Sequence, residues 1–300
     1  MLLFFEKFIP TKNSGELPCA KPSPSLTTKL LPKNESEIGT PKNPIVLAHG
    51  LLGFDQLHLA GPLLPGLQYW RGITEALAAN GIEVITASVP ASASIRERAE
   101  KLSGEIMSKA HGKSVNIIAG LDARYMISRL KPPNVNVMSL TTIASPHRGS
   151  AFADYVFDRI GPTNLPRIYR VLRTLRIDSD AFSQLTRRYM TEEFNPNTPD
   201  RKGVVYFSYG ATVSPALWSA FRGSHRIVQA EEGPNDGLVS VASSRWGIYK
   251  GTLVDVSHLD LINWTNRLRW LVWQMTGNER KFNAIAFYLD IADMLAKEGF

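Results

Sequence analysis

Between Lys113 and Leu130 an apolar run and an amphipathic run meet with a single residue between them, and no other stretch constrains the fold as much. Val115 to Ala119 is predicted as a buried strand, because a run of β-branched and apolar residues needs cover on both faces. Leu121 to Leu130 is predicted as a helix with Leu121, Tyr125 and Met126 turned inward. Only Gly120 stands between them. A strand that turns into a helix so abruptly presents its turn residue above the carboxyl edge of a sheet, where chemistry is usually placed.

The same rhythm runs through the first half of the chain. Pro44 to Ala48 reads as a strand and His49-Gly50-Leu51-Leu52-Gly53-Phe54 as a glycine-bearing turn. Trp70 to Asn80 reads as a helix, Glu83 to Ser88 as a strand, and Ser94 to Ala110 as a helix with Ile95, Ala99, Leu102 and Ile106 at helical spacing. Asn136 to Ile143 is a further strand. Strands alternating with helices of ten to fifteen residues predict an α/β fold, a mostly parallel sheet covered by helices on both faces. Val204 to Tyr209 and Leu253 to Val256 read as later strands, and Asn263 to Met275 with Asn283 to Lys297 as closing helices.

Residues 151–200 break the alternation with helical segments and no strand. Arg167, Arg170, Arg173 and Arg176 recur every three residues, with Leu165, Ile168, Val171, Leu172 and Leu175 between them. That is a basic amphipathic helix. It fits a lid over an apolar cleft, a helix lying on an anionic membrane, or a cap helix packed on the core with solvated arginines. Residues 1–43 read as a disordered lead-in, with many prolines and little apolar periodicity, ahead of one domain over 44–300. The apolar Met1 to Phe5 is too short for a signal peptide core, and the lead-in, with Glu16, Glu35 and Glu37 and no arginine, lacks the look of a mitochondrial presequence.

A chain of 300 residues, 44% apolar, can bury a large core as one domain. The formal charge of +7 favours anionic surfaces, but 34 basic and 27 acidic residues are interspersed without a block of one sign, which argues against a nucleic-acid partner. Cys19 is the only cysteine, so no internal disulfide and no cysteine metal site is expected.

Two later segments carry the chemistry. Asp236 lies in a tight turn within E-E-G-P-N-D-G-L-V-S-V, and His258 follows a strand in D-V-S-H-L-D. An acid on one loop after a strand and a histidine on a later one suits a general base whose tautomer an aspartate fixes. His49-Gly50-Leu51 after the first strand suits a backbone N–H donor at Leu51 for a developing oxyanion, since glycine permits close approach.

These segments together resemble the bacterial-type triacylglycerol lipases, and more narrowly the fungal mitochondrial triacylglycerol lipases of yeasts. The resemblance runs from about Asn43 to Phe300. It rests on N-P-I-V-L-A-H-G-L-L-G-F-D, S-L-T-T-I-A-S-P-H-R-G-S-A-F-A-D-Y, P-N-D-G-L-V-S-V, W-G-I-Y-K-G-T-L, H-L-D-L-I-N-W and F-Y-L-D-I-A-D-M-L-A-K-E-G-F, in that order. It implies an α/β-hydrolase fold with a helical lid over 151–200, Asp236 and His258 as acid and base of a Ser-His-Asp triad, and Leu51 as an oxyanion donor. It also implies neutral-lipid ester substrates, a peripheral membrane or lipid-droplet surface and a mitochondrial location. Bacterial relatives bind calcium near the histidine, and Asp260 matches one ligand. No clear second acidic ligand is found and Trp264 stands near another ligand position, so neither a bound ion nor a cofactor is expected, and Asp260 is expected to order its loop.

The chain departs from the family at its centre. Where members carry A-H-S-M-G-G-L-D, it reads Ala119-Gly120-Leu121-Asp122, so the nucleophile and the donor after it have no counterpart. Loss of the serine costs on the order of 10⁶ in turnover, and loss of one oxyanion donor about 10² to 10³. Ser114 and Ser128 are badly placed to replace it, and Pro146 after Ser145 removes an N–H from the other candidate. The chain is therefore read as a lipase-family hydrolase that lost its elbow and is inactive as it stands. The alternatives are a non-catalytic lipid- or protein-binding descendant, and an esterase or acyltransferase for another acyl group. Four missing residues amount to about one helical turn and shift helix phase by only about 40°, so the fold is expected to survive. Limited proteolysis should accordingly cut residues 1–43 well before 115–130; equal susceptibility of the two would overturn that expectation.

Overall fold

The computed structural model describes residues 25–26, 38–50, 56–57, 67–68, 70, 72–90, 93–158, 179–215, 219, 221–262 and 282–300. The strands are β1 Ser25–Leu26, β2 Ile45–Ala48, β3 Gln56–Leu57, β4 Leu67–Gln68, β5 Val84–Ala87, β6 Ser114–Ala119, β7 Asn136–Ile143, β8 Val205–Thr212 and β9 Ile248–Val254. Seven form one sheet in the order β1-β9-β8-β7-β6-β2-β5, and β3 with β4 makes a small antiparallel pair. Every neighbour in the large sheet runs parallel. The pair Ser25–Leu26, inside the stretch read as a lead-in, lies on the outer edge against Thr252 and Leu253.

The alternation of side chains along β2 shows why both faces need cover. Ile45 and Leu47 point to one layer and Val46 and Ala48 to the other, and all four are buried. On the first face Ile73 and Leu77 of the helix Ile73–Ala79 meet Phe287, Tyr288, Ile291 and Leu295 of the helix Ala284–Lys297. On the second face Ala99, Leu102 and Ile106 of the helix Ile95–Ala110 pack with Ala123, Met126 and Ile127 against Val115 and Ile117. The predicted apolar stripe of that long helix is the buried one. Ser94 starts it, its Oγ accepting from Glu97 N at 3.2 Å while Glu97 Oε2 accepts from Ser94 N at 3.0 Å.

Several boundaries differ from the sequence reading. The helix expected over Trp70 to Asn80 is regular only over Ile73–Ala79, after Gly72 at φ 79°. Strand β8 runs on to Thr212, and β9 begins at Ile248 and ends at Val254 rather than covering Leu253 to Val256. Gly247 at φ 54° starts β9 because its Cα presses on the Tyr206 backbone, where a Cβ would stand 2.4 Å from the carbonyl oxygen. A helix over Arg222–Glu232 was not expected. The arginine-rich helix and the helix expected over Asn263 to Met275 lie outside the described residues. Among the described residues no helix is long and apolar enough to cross a membrane.

The segment after β6 is regular helix only over Leu121–Tyr125 and then widens into a π-helical turn over Met126–Leu130. Asp122 and Arg124 are buried along with its apolar residues. Asp122 Oδ2 pairs with Arg98 Nη2 at 2.9 Å, both side chains almost wholly covered. The same Arg98 donates to Pro90 O, and to His49 O at 2.6 Å, so one guanidinium ties the helix Ile95–Ala110, the end of β2 and the helix after β6. Breaking a buried pair strands a charge, whereas replacing both partners by apolar groups does not. Asp122→Ala should thus lower the unfolding free energy by about 3–5 kcal/mol in urea titration, and Arg98→Met with Asp122→Leu should recover most of that loss.

Candidate active site

All the candidate groups among the described residues lie at the carboxyl end of the parallel strands, where chain direction gathers the loops that follow each strand. The Asp236 loop is drawn back to the end of β8 by Val213 N donating to Asn235 O at 2.9 Å. The segment after β9 reaches the same place, with Val256 N donating to Thr212 O at 3.0 Å and His258 N to Asp236 O at 3.0 Å. The two predicted residues therefore meet through both backbone and side chain.

Asp236 sits in a turn of its own making. Asn235 and Ser240 bridge as an isolated antiparallel pair, and the residues between them fold inward. Leu238 N and Val239 N donate to Asp236 Oδ1 at 3.0 and 2.8 Å, and Gly237 N donates to Asn235 Oδ1 at 2.9 Å. Gly237 takes φ 107°, and a Cβ there would stand 2.7 Å from Phe221 Cβ, so only glycine fits between the turn and the helix Arg222–Glu232. With Oδ1 occupied, Oδ2 of the fully buried Asp236 is left for His258 Nδ1 at 2.7 Å.

That bond assigns the tautomer. A carboxylate can only accept, so Nδ1 carries the proton and a neutral His258 has its Nε2 lone pair available as a base. The side chain is 34% exposed. Packing around the ring is the largest influence on its pKa and disfavours the charge, but the Asp236 carboxylate outweighs it through charge and hydrogen bond, and the pKa ends above the ordinary value. Asp260 stands by: its Oδ2 accepts from Ser257 N at 3.0 Å and Ser257 Oγ at 2.6 Å, which orders the loop carrying His258. Among the described residues no three His, Cys, Asp or Glu side chains converge on a metal-sized site.

At the end of β6 the chain passes from Ala119 through Gly120 directly into Leu121. Gly120 has φ −124° and ψ −141°, without left-handed strain, and a Cβ on it would lie 3.4 Å from Ser145 Oγ. Ser145 follows β7 after Ala144, which turns the chain at φ 47°. Leu51, the predicted oxyanion donor, lies outside the described residues.

His147, two residues beyond Ser145, is fully buried and structural in its contacts. Arg124 Nη1 approaches its Nδ1 at 3.1 Å, and a guanidinium can only donate, so Nε2 bears the proton and donates to Thr142 Oγ1 at 2.9 Å. Burial, with repulsion from Arg124 and Arg148, holds it neutral well below the ordinary range. Arg124 is itself lowered to about 10 by burial; its guanidinium lies 3.5 Å from the Trp246 ring centroid and donates to Asn195 Oδ1 at 3.1 Å. Sequence reasoning missed Arg98, Asp122 and Arg124, for which a charged pair inside an otherwise apolar post-strand helix was the available signal.

Asp236→Asn isolates the coupling. A histidine whose folded pKa is raised adds stability that is fully present below its unfolded pKa, about 6.5, and is lost as pH rises through the folded pKa. NMR titration should place the His258 midpoint above about 6.5 in the unaltered chain and below it in Asp236→Asn, where packing acts alone.

A scan against protein-family profiles finds no match. The chain is 38% identical to triacylglycerol lipase 2 of Saccharomyces cerevisiae over 87% of its own length and 93% of that protein. It is 30% identical to a triacylglycerol lipase of Vibrio cholerae over 73% of its length and 79% of that one. In fold it is similar to the crystal structure of Staphylococcus hyicus lipase, with TM-score 0.63 and 19% identity over 88% of this chain and 98% of that one. A metagenomic carboxyl esterase gives TM-score 0.64 at 17% identity over 99% and 89%. With this parallel sheet and the extent of identity to the yeast protein, the chain belongs to the triacylglycerol lipase family and has the α/β-hydrolase fold.

Proposed function

We propose that this chain is a carboxylic ester hydrolase scaffold for neutral lipid esters, with Asp236 as the acid and His258 as the base of a Ser-His-Asp triad whose serine is missing. The observation that carries the reading is the 2.7 Å bond from His258 Nδ1 to the buried Asp236 at the carboxyl edge of the sheet. In a complete site a serine at the end of β6 would attack the ester carbonyl as His258 Nε2 takes its proton. Asp236 would stabilise the imidazolium that forms, and Leu51 N–H would face the oxyanion. His258 would then return its proton to the leaving alcohol, and a second cycle with water would free the acid.

As it stands the chain has no hydroxyl between Ala119 and Leu121, so turnover should fall by about 10⁶ relative to a complete site. The cap over 151–200, peripheral attachment to a membrane or lipid droplet, acylglycerols as substrate and a mitochondrial location belong to the same proposal. They are supported by the family membership and the resemblance to yeast lipases. One observation favours a second reading, a non-catalytic lipid- or protein-binding descendant: Gly120 turns the chain at φ −124°, outside the left-handed conformation, whereas a working elbow holds its nucleophile in strain.

Fluorophosphonate labelling read by intact mass separates the readings, on this chain and on a version with His-Ser-Met-Gly inserted after Ala119. The expected result is one adduct on the insertion variant and none on the unaltered chain. An adduct on the unaltered chain would mean that another serine is activated, and an absence of adducts on both would favour the binding protein.

A further inference from the structure

Glu232, the last residue of the helix Arg222–Glu232, is joined to two segments that flank the acid turn. Its Oε1 accepts from Ala151 N at 2.6 Å, at the start of the helix over 151–158. Its Oε2 accepts from Ser240 Oγ. Ser240 is fully buried and is the residue that closes the Asp236 turn against Asn235; its Oγ in turn accepts from Ser243 N at 3.0 Å. A second tie from the same side comes from Ser150, whose Oγ donates to Leu238 O at 2.6 Å.

We propose that Glu232 is a positioning residue for the Asp236–His258 pair, gripping the closing residue of the acid turn and the start of the helix over 151–158. The turn Asp236 to Val239 is only four residues long, and two of its N–H groups hold Oδ1. If Ser240 shifts, those N–H groups shift with it, and the carboxylate rotates away from Nδ1. Through Ala151 N the same carboxylate links the acid turn to the first helix after β7, so displacement of that helix is transmitted to the carboxylate. Hydrogen bonds to a charged acceptor are strong enough to hold such a register, at roughly twice the strength of neutral ones.

The inference rests on the reading of Asp236 and His258 as acid and base, and the test keeps the two apart. Ring ¹H–¹⁵N spectra of the full chain report the downfield Nδ1 proton of His258 and its titration midpoint. Glu232→Gln, which keeps one acceptor oxygen, should lower the midpoint by about half a unit, and Glu232→Ala by about a unit, each with weakening of the Nδ1 resonance. Ser240→Ala should resemble Glu232→Gln, while Glu231→Gln at the exposed neighbour should leave both signals in place. If Glu232→Ala does not fold, the Gln and Ser240 variants decide. Folded variants that lose thermal stability but keep the midpoint and the resonance would overturn the positioning role. If Asp236→Asn also leaves His258 unchanged, the acid–base reading itself fails.

Discussion

A parallel sheet buried on both sides needs apolar cover on each face and penalises a polar strand residue left without a partner, and this sets the terms for the rest of the molecule. β2 is covered by one pair of helices through Ile45 and Leu47 and by another through Val46 and Ala48. The chain must cross the sheet between successive strands, so every loop that follows a strand comes out at the same edge. His49, Gly120, Ser145, Asp236 and His258 are far apart in sequence and are collected there by that single requirement. Ser139 Oγ has its partner, donating to Asn116 Oδ1 at 2.8 Å across β6 and β7, whereas the buried Thr141 Oγ1 on β7 has no hydrogen-bond partner among the described residues.

The sheet was readable wherever a strand is apolar on both faces. Asn136–Ile143 matches the sequence reading at both ends, and Ile45–Ala48 and Val84–Ala87 lie inside their expected limits. β9 was not, because Lys250 and Gly251 interrupt its pattern. Its first residue, Ile248, is 51% exposed, and a strand end that faces solvent needs no continuous apolar run. The helix Arg222–Glu232 buries only Ser224 and Val228, so its apolar signal was too thin to find. Asp236 and His258 were legible from their order after strands. The partners that hold them were not, since a serine or glutamate at 240 or 232 looks like any surface residue until the turn closes around it.

The direct passage from β6 through Gly120 into the next helix leaves the core around it closed. β6 pairs with β2 up to Ile118 and with β7 up to Ala119, with one shift of register at its other end between Val115 and Asn116, and Leu121, Ala123 and Met126 are buried in the core. On the proposed reading, the nucleophile-bearing segment of a complete site would stand above the sheet, outside the core. On that reading scaffold and chemistry are separable: the layers hold the Asp236–His258 pair in place, and a nucleophilic hydroxyl would depend only on the few residues that connect β6 to the helix after it.

Arg124 is neutralised differently from the surface cations. Arg96 and Glu100, and Arg188 and Glu192, are exposed ion pairs one helical turn apart. Arg124 is instead held between aromatic faces, a neutral imidazole, an amide and a backbone carbonyl. Salt screens charges in water within about 10 Å at 0.1 M but barely reaches a dry ring face. In brine the surface pairs would fade while the join between the sheet and residues 194–198 kept its strength, leaving the attachment of that segment indifferent to ionic conditions.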